Sequence, residues 1–194
     1  MRGFILRTLA GMVMAFGLAL PTTDAGAGAA PPAPSALPNR LLYVIPGDAA
    51  GMLEVVPPEL RPCADALREA LIAAVRGEIL ARFETVTVVQ STAARDSQLA
   101  AALADRSLFN RYDDLVLARA TLEGPGPTDA PCRLHATVVV TFRPWDPTDT
   151  LTLTGRSEGG GSGETPEAAA RLALERAVRQ VGDALTKRKA RLVR

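Results

Sequence analysis

One histidine, two cysteines and one tryptophan bound the chemistry open to this chain of 194 residues. Any Ser-His-Asp or Cys-His mechanism would have to pass through His135, because such mechanisms need an imidazole to take the nucleophile's proton. Alternation along its strand places His135 on the same side as Thr137 and Thr141, away from the apolar positions. No nucleophile motif accompanies it. A small hydrolase would therefore need His135 with a carboxylate such as Asp113. Asp113 and Asp114 are adjacent, so on a strand they point to opposite faces and cannot share one substrate atom. They read as a polar strand start.

The run Gly159-Gly160-Gly161-Ser162-Gly163-Glu164-Thr165-Pro166 stands where a phosphate cradle could form, between a strand and a helix. It has no G-K-[ST] and no complete G-x-G-x-x-G, and Glu164 and Glu167 would repel an anion there. The G-x-S-x-G elbow also fails, at Glu164. The run reads as a mobile connection. Two cysteines and one histidine are too few for a zinc finger or ribbon, so neither a metal site nor a cofactor is expected. Cys63 opens a helix just past the first strand, and Cys132 opens the fourth strand just past the third. If the first and third strands run parallel, both cysteines lie at one edge of the sheet. An oxidising compartment then favours a Cys63–Cys132 disulfide. Closing that loop is worth about 4 kcal/mol in the chain-entropy model. Trp145, between Pro144 and Asp146 in a Pro-rich turn, is the expected anchor for a partner.

The elements that hold these residues follow from periodicity. Leu41–Ile45 is a continuous apolar run ended by Pro46-Gly47, as expected of a strand buried on both faces. From Leu60 to Phe83 the apolar residues recur at helical spacing behind Pro57-Pro58-Glu59. Thr85–Val89 is a β-branched strand, and Ser91 or Thr92 caps an expected short helix to about Ala104. Three strands follow. The third puts Val116, Ala118, Ala120 and Leu122 on one face, and the fourth puts Leu134, Ala136, Val138, Val140 and Phe142 inward. Thr150–Thr154 alternates as the fifth, joined to the fourth by the turn Arg143–Asp149 as an antiparallel hairpin. Thr165 as cap and Pro166 as first helical position open a closing helix to about Lys187. The order β-α-β-α-β-β-β-α implies an α/β fold, a two-layer sandwich with helices packed on a mixed sheet of about five strands.

Arg2 and Arg7, the apolar stretch Thr8–Pro21 and the small residues Ala25–Ala29 have the order of a secretory signal peptide. Residues 1–27 are the expected leader, 28–38 a Pro/Ala-rich linker, 39–188 a single domain and 189–194 a basic tail. The apolar stretch is short for a spanning helix, and no cysteine precedes Cys63, so a lipoprotein anchor is not expected. Removal of residues 1–27 takes Arg2, Arg7 and Asp24, leaving 20 basic and 20 acidic side chains. That balance gives no field to draw in nucleic acid. Arg outnumbers Lys 20 to 2, which points to a GC-rich bacterial genome and so to the periplasm.

The chain resembles the small periplasmic α/β modules grouped around the TolB amino-terminal domain, CsgG and the penicillin-binding-protein activator LpoB. Leu42-Tyr43-Val44-Ile45-Pro46 is similar to their opening strand, followed by the amphipathic helix and the strand Thr85–Val89. Tyr112–Leu117 entering a strand, the polar-alternating hairpin, and the Gly-rich residues 159–163 before the Ala-rich helix complete the likeness. It implies a noncatalytic part of an envelope complex. Auxiliary subunits of envelope lipid-transport systems have a similar element order. The expected function is accordingly that of an exported binding or accessory subunit whose partner is an envelope protein or a lipid-transport component. The alternatives are the His135 hydrolase and a carrier of a lipid or small ligand between helix layer and sheet. A carrier needs an apolar cavity of about 300 Å³ or more.

Overall fold

The computed structural model describes residues 37–91, 111–124, 132–144 and 150–188. The expected leader, the short helix from Thr92 to about Ala104, Trp145 with Asp146, and the tail 189–194 lie outside them, as does the linker up to residue 36.

Strand β1 runs Leu37–Pro46, so Leu37 and Pro38 belong to the sheet and not to the linker. Leu37 pairs with Phe83 and is buried. After β1, Asp48 Oδ1 accepts from Gly51 N at 2.8 Å and closes a single 3-10 turn. A Cβ on Gly51 would lie 2.4 Å from Pro46 Cβ, so this tight return needs glycine. The three-residue strand β2, Leu53–Val55, follows, with Leu53 buried. Three residues carry too little alternation to stand out in sequence.

The helical run divides into a 3-10 turn Pro58–Cys63, helix α1 Ala64–Glu78 and a second 3-10 turn Leu80–Arg82. Pro62 has no N–H to give an α-helical ladder, so it sits in the entry turn rather than inside α1. Leu67, Leu71 and Val75, four residues apart, make one buried stripe of α1. Arg68 is buried among them and donates from Nη2 to Pro46 O at 2.7 Å, closing the end of β1. Strand β3 is Phe83–Ser91, β4 Asp114–Glu123, β5 Leu134–Pro144 and β6 Leu151–Gly159. The closing helix, α2, is Pro166–Lys187, capped as expected by Thr165 Oγ1 accepting from Ala168 N at 3.2 Å.

The strands form one mixed sheet of six, in the order β3-β1-β4-β5-β6, with β2 paired to the far half of β4. β1 is parallel to both β3 and β4, whereas β4-β5 and β5-β6 are antiparallel. The expected two-layer α/β sandwich is what forms, with β2 as the strand beyond the expected five. Tyr43, Val116, Val138, Val140, Phe142 and Leu153 face the stripes of α1 and α2 in one core. The Phe83 and Phe142 rings lie 5.8 Å apart in its interior. A smaller cluster of Leu42, Val44 and Leu115 is buried on the opposite face. Burial of β1 on both faces explains its unbroken apolar run.

α2 lies against β6 without intervening side chains. A Cβ on Gly155 would come 2.0 Å from Ala177 O, and one on Gly159 2.2 Å from Ala169 O. Ala169, Ala173 and Ala177 supply the matching small stripe of α2, all fully buried. Tyr43 is wholly buried, and burial pushes its phenol above the ordinary range. Its hydroxyl has no hydrogen-bond partner among the described residues.

Candidate functional site

The helix-free face of β4, β5 and β6 is laid out by strand alternation and register. Across the three strands its rows read Glu123-His135-Glu158, Thr121-Thr137-Arg156, Arg119-Val139-Thr154 and Leu117-Thr141-Thr152. Apolar residues of the same strands turn to the helices, so hydroxyls and charges collect here. A cavity of about 280 Å³ opens on this face, lined chiefly by Glu54, Leu117, Arg119, Thr121, Thr137 and Thr141.

The route of the chain explains where the cavity lies. β1 pairs with β4 only as far as Tyr43 opposite Val116, and β2 resumes with Leu53 opposite Ala120. Between those pairs lie Leu117, Ala118 and Arg119 of β4. Glu54, brought beside β4 by β2, accepts from Arg119 Nη1 at 3.1 Å. Both side chains are half exposed, so the pair is solvated and can exchange for a ligand. Further along, Arg156 Nη2 bonds Glu123 Oε2 at 2.9 Å. Hydroxyl donors and acceptors, one guanidinium, one carboxylate and the apolar edges of Leu117 and Val139 suit reversible binding of a polar partner surface.

His135 stands where alternation puts it, on this face, with Nε2 3.8 Å from Glu158 Oε2 and its side chain 40% exposed. It is opposite Glu123 in register, whereas Asp113 precedes Asp114, which pairs with Pro144 at the other end of β4. Ten positions, 113 to 123, separate them along one strand, about 33 Å at 3.3 Å per residue. His135 and Asp113 therefore do not form a catalytic pair. Asp113 instead accepts from Arg40 N at 2.7 Å and bonds its Nη2 at 2.9 Å, and these Arg40 hydrogen bonds hold its carboxyl below the usual carboxylate range. Asp114 is buried and accepts from Asn39 Nδ2 at 3.1 Å. The adjacent acids clamp the start of β4 to β1, the polar strand start expected of them.

Cys63 and Cys132 are both free thiols here, so the expected disulfide is absent from the structure. Both do lie around the first turn of α2, and β1 and β4 are parallel, as the placement of both at one sheet edge requires. Cys63 is engaged by Glu167, whose hydrogen bond raises the thiol, while Arg171 and then Cys63 hold Glu167 below its ordinary value. Cys132 takes a left-handed backbone, φ 53°, and its carbonyl lies against Gly160. A Cβ on Gly160, at φ 116°, would sit 1.7 Å from that carbonyl, so this point of the run needs glycine. Pro144 is buried at the end of β5. Its neighbours Trp145 and Asp146 lie outside the described residues. The direct contact of α2 with Gly155 and Gly159 leaves no carrier cavity between those two elements. Among the described residues no cluster of His, Cys, Asp and Glu could hold a metal ion, and no helix is long and apolar enough to cross a membrane.

The cavity could not be read from sequence because it depends on β2 bringing Glu54 beside β4 and β5. The sequence signal for its lining was the alternation that puts Thr137 and Thr141 on the side away from the apolar positions.

No protein-family model matches the chain, and no curated protein matches it. Several solved structures have a similar outline. The PelC dodecamer from Paraburkholderia phytofirmans is 12% identical, with 75% of this chain and 88% of that one covered and a TM-score of 0.41. A neuraminyllactose-binding hemagglutinin homolog from Helicobacter pylori is 11% identical, covering 80% and 88% at a TM-score of 0.43. The hypothetical protein CT253 from Chlamydia trachomatis is 9% identical, covering 80% and 98% at a TM-score of 0.41. At this distance no function passes from them to this chain.

Proposed function

We propose that this chain is an exported, noncatalytic binding or accessory subunit of the cell envelope, working in the periplasm through the open face of its sheet. The observation that carries the reading is the cavity on the open face of β4 and β5, lined by Glu54, Arg119 and three threonines. Its side chains are donors, acceptors and one solvated ion pair, suited to recognition more than to bond-making. The leader-like residues 1–27 and the likeness of element order to the TolB, CsgG and LpoB group support the envelope assignment. His135 lies far from Asp113, and the carboxylate beside it is Glu158, in a half-exposed pair and not in a pocket with a nucleophile motif.

The test is affinity capture from the envelope fraction of the source cells, with Arg119→Glu and Trp145→Ala compared with the unaltered chain. A stoichiometric envelope component, lost with Arg119→Glu, is the expected result. Equal capture by Arg119→Glu would move the site away from the cavity, and loss with Trp145→Ala alone would place it at the hairpin. Reproducible absence of any captured component would overturn the reading.

A further inference from the structure

The sheet has two edges, and they are finished differently. β6 is covered on its outer side: Arg156 N donates to Gln180 Oε1 at 3.1 Å, and Arg176 Nη1 donates to Glu158 O at 2.9 Å. Side chains of α2 thus satisfy outward backbone groups of β6, and Arg156 and Glu158 add charge to that edge. β3 is paired only with β1, and none of the described residues caps its outer side. Alternate residues of such an edge aim N–H and C=O groups outward, ready for another strand. Natural edges are blunted by charge, proline or a bulge, and Thr85–Gln90 has no charge and no proline. Thr85, Val86, Thr87, Val88 and Val89 are all β-branched, the residue type that best fits a pleated sheet. Val88 and Val89 are 37% and 44% exposed, two of the most exposed large apolar residues described.

We propose that the outer edge of β3 joins two copies of this chain, antiparallel across a two-fold axis, into one continuous sheet. The occupant is a second copy because the uncharged segment Thr85–Gln90, paired antiparallel with its own image, sets no like charges opposite each other, as an isologous interface requires. Pairing would also bury Val88 and Val89 from both copies. Capping of β6 by α2 disfavours further strand addition at that edge. The surface is separate from the cavity of the proposed function, and either can fail without the other.

Sedimentation equilibrium of the purified full chain tests it. The unaltered chain should show a concentration-dependent dimer. Val88→Lys with Val89→Lys, and Val88→Glu with Val89→Glu, should each weaken the dimer by about tenfold or more, from like charges across the pair. An equal mixture of the two variants should recover it, which an unfolded variant could not do. Hydrogen exchange of the unaltered chain should slow at residues 85–90 as concentration rises, with no change in β6. A monomer at every concentration, a Lys variant that dimerises as tightly as the unaltered chain, or slowed exchange elsewhere would overturn the proposal.

Discussion

The two faces of the sheet are made from the same three strands, residue by alternate residue, and they differ in what holds them. On the helix side, Ala120, Val138, Val140, Phe142 and Leu153 are fully or almost fully buried, and α2 touches the backbone of β6. On the other side, Arg119, Thr137, Thr141 and Thr152 stand in or beside a cavity. The first face spends its side chains on stability, and the second has polar groups that stability does not require. Substitutions should therefore separate into those that unfold the domain and those that leave it folded with a changed surface.

The largest effect should come from the closest contact. Gly155→Val places a side chain where Ala177 O already lies 2.0 Å from the Cβ position, and the helix must lift from the sheet. A loss of at least about 3 kcal/mol is expected in urea unfolding, and a loss under about 1 kcal/mol would show that α2 is not seated as described. Phe142→Ala should cost about 3–5 kcal/mol by the same assay, whereas its neighbour Thr141→Ala on the open face should stay within about 0.5 kcal/mol. Similar losses for the two would erase the distinction between the faces. Tyr43→Phe removes a buried hydroxyl without a partner and should raise stability by about 1 kcal/mol. A clear loss would mean that the hydroxyl is satisfied in solution.

The smallest effect concerns pH. Asp113 has its pKa lowered by Arg40, so its contribution is present above the unfolded value of 3.8 and is lost as pH falls through the lower folded value. Both side chains are largely exposed, which keeps the contribution small. Asp113→Asn should flatten the fall of the urea midpoint below about pH 4, and an unchanged slope would remove the carboxylate from the account.

Most of this architecture was legible because it is written in local patterns. The alternation of Leu134–Phe142 fixed which side of β5 meets the helices, and Thr165-Pro166 marked the start of α2 to the residue. What escaped was whatever depends on contacts between distant segments. Leu53–Val55 became a strand only by pairing with Ala120 and Thr121 of β4, and that pairing brings Glu54 to the cavity beside residues of β4 and β5. Arg156 and Glu158 extend the last strand beyond its alternating threonines by pairing with Thr137 and His135 of β5, and Gln180 and Arg176 of α2 bond its outer side. The Gly-rich run looked like a free connection, yet Gly159 and Gly160 are held by Ala169 and Cys132, contacts that local composition does not record.

The central claim is that the open face is where this chain meets its partner. Hydrogen-exchange footprinting of the full chain, alone and with the envelope component it captures, tests that claim most directly. The account predicts added protection at residues 53–55, 117–121 and 137–141, with α1 and α2 unchanged. Added protection confined to the outer surfaces of α1 and α2, with the cavity strands unaffected, would contradict it.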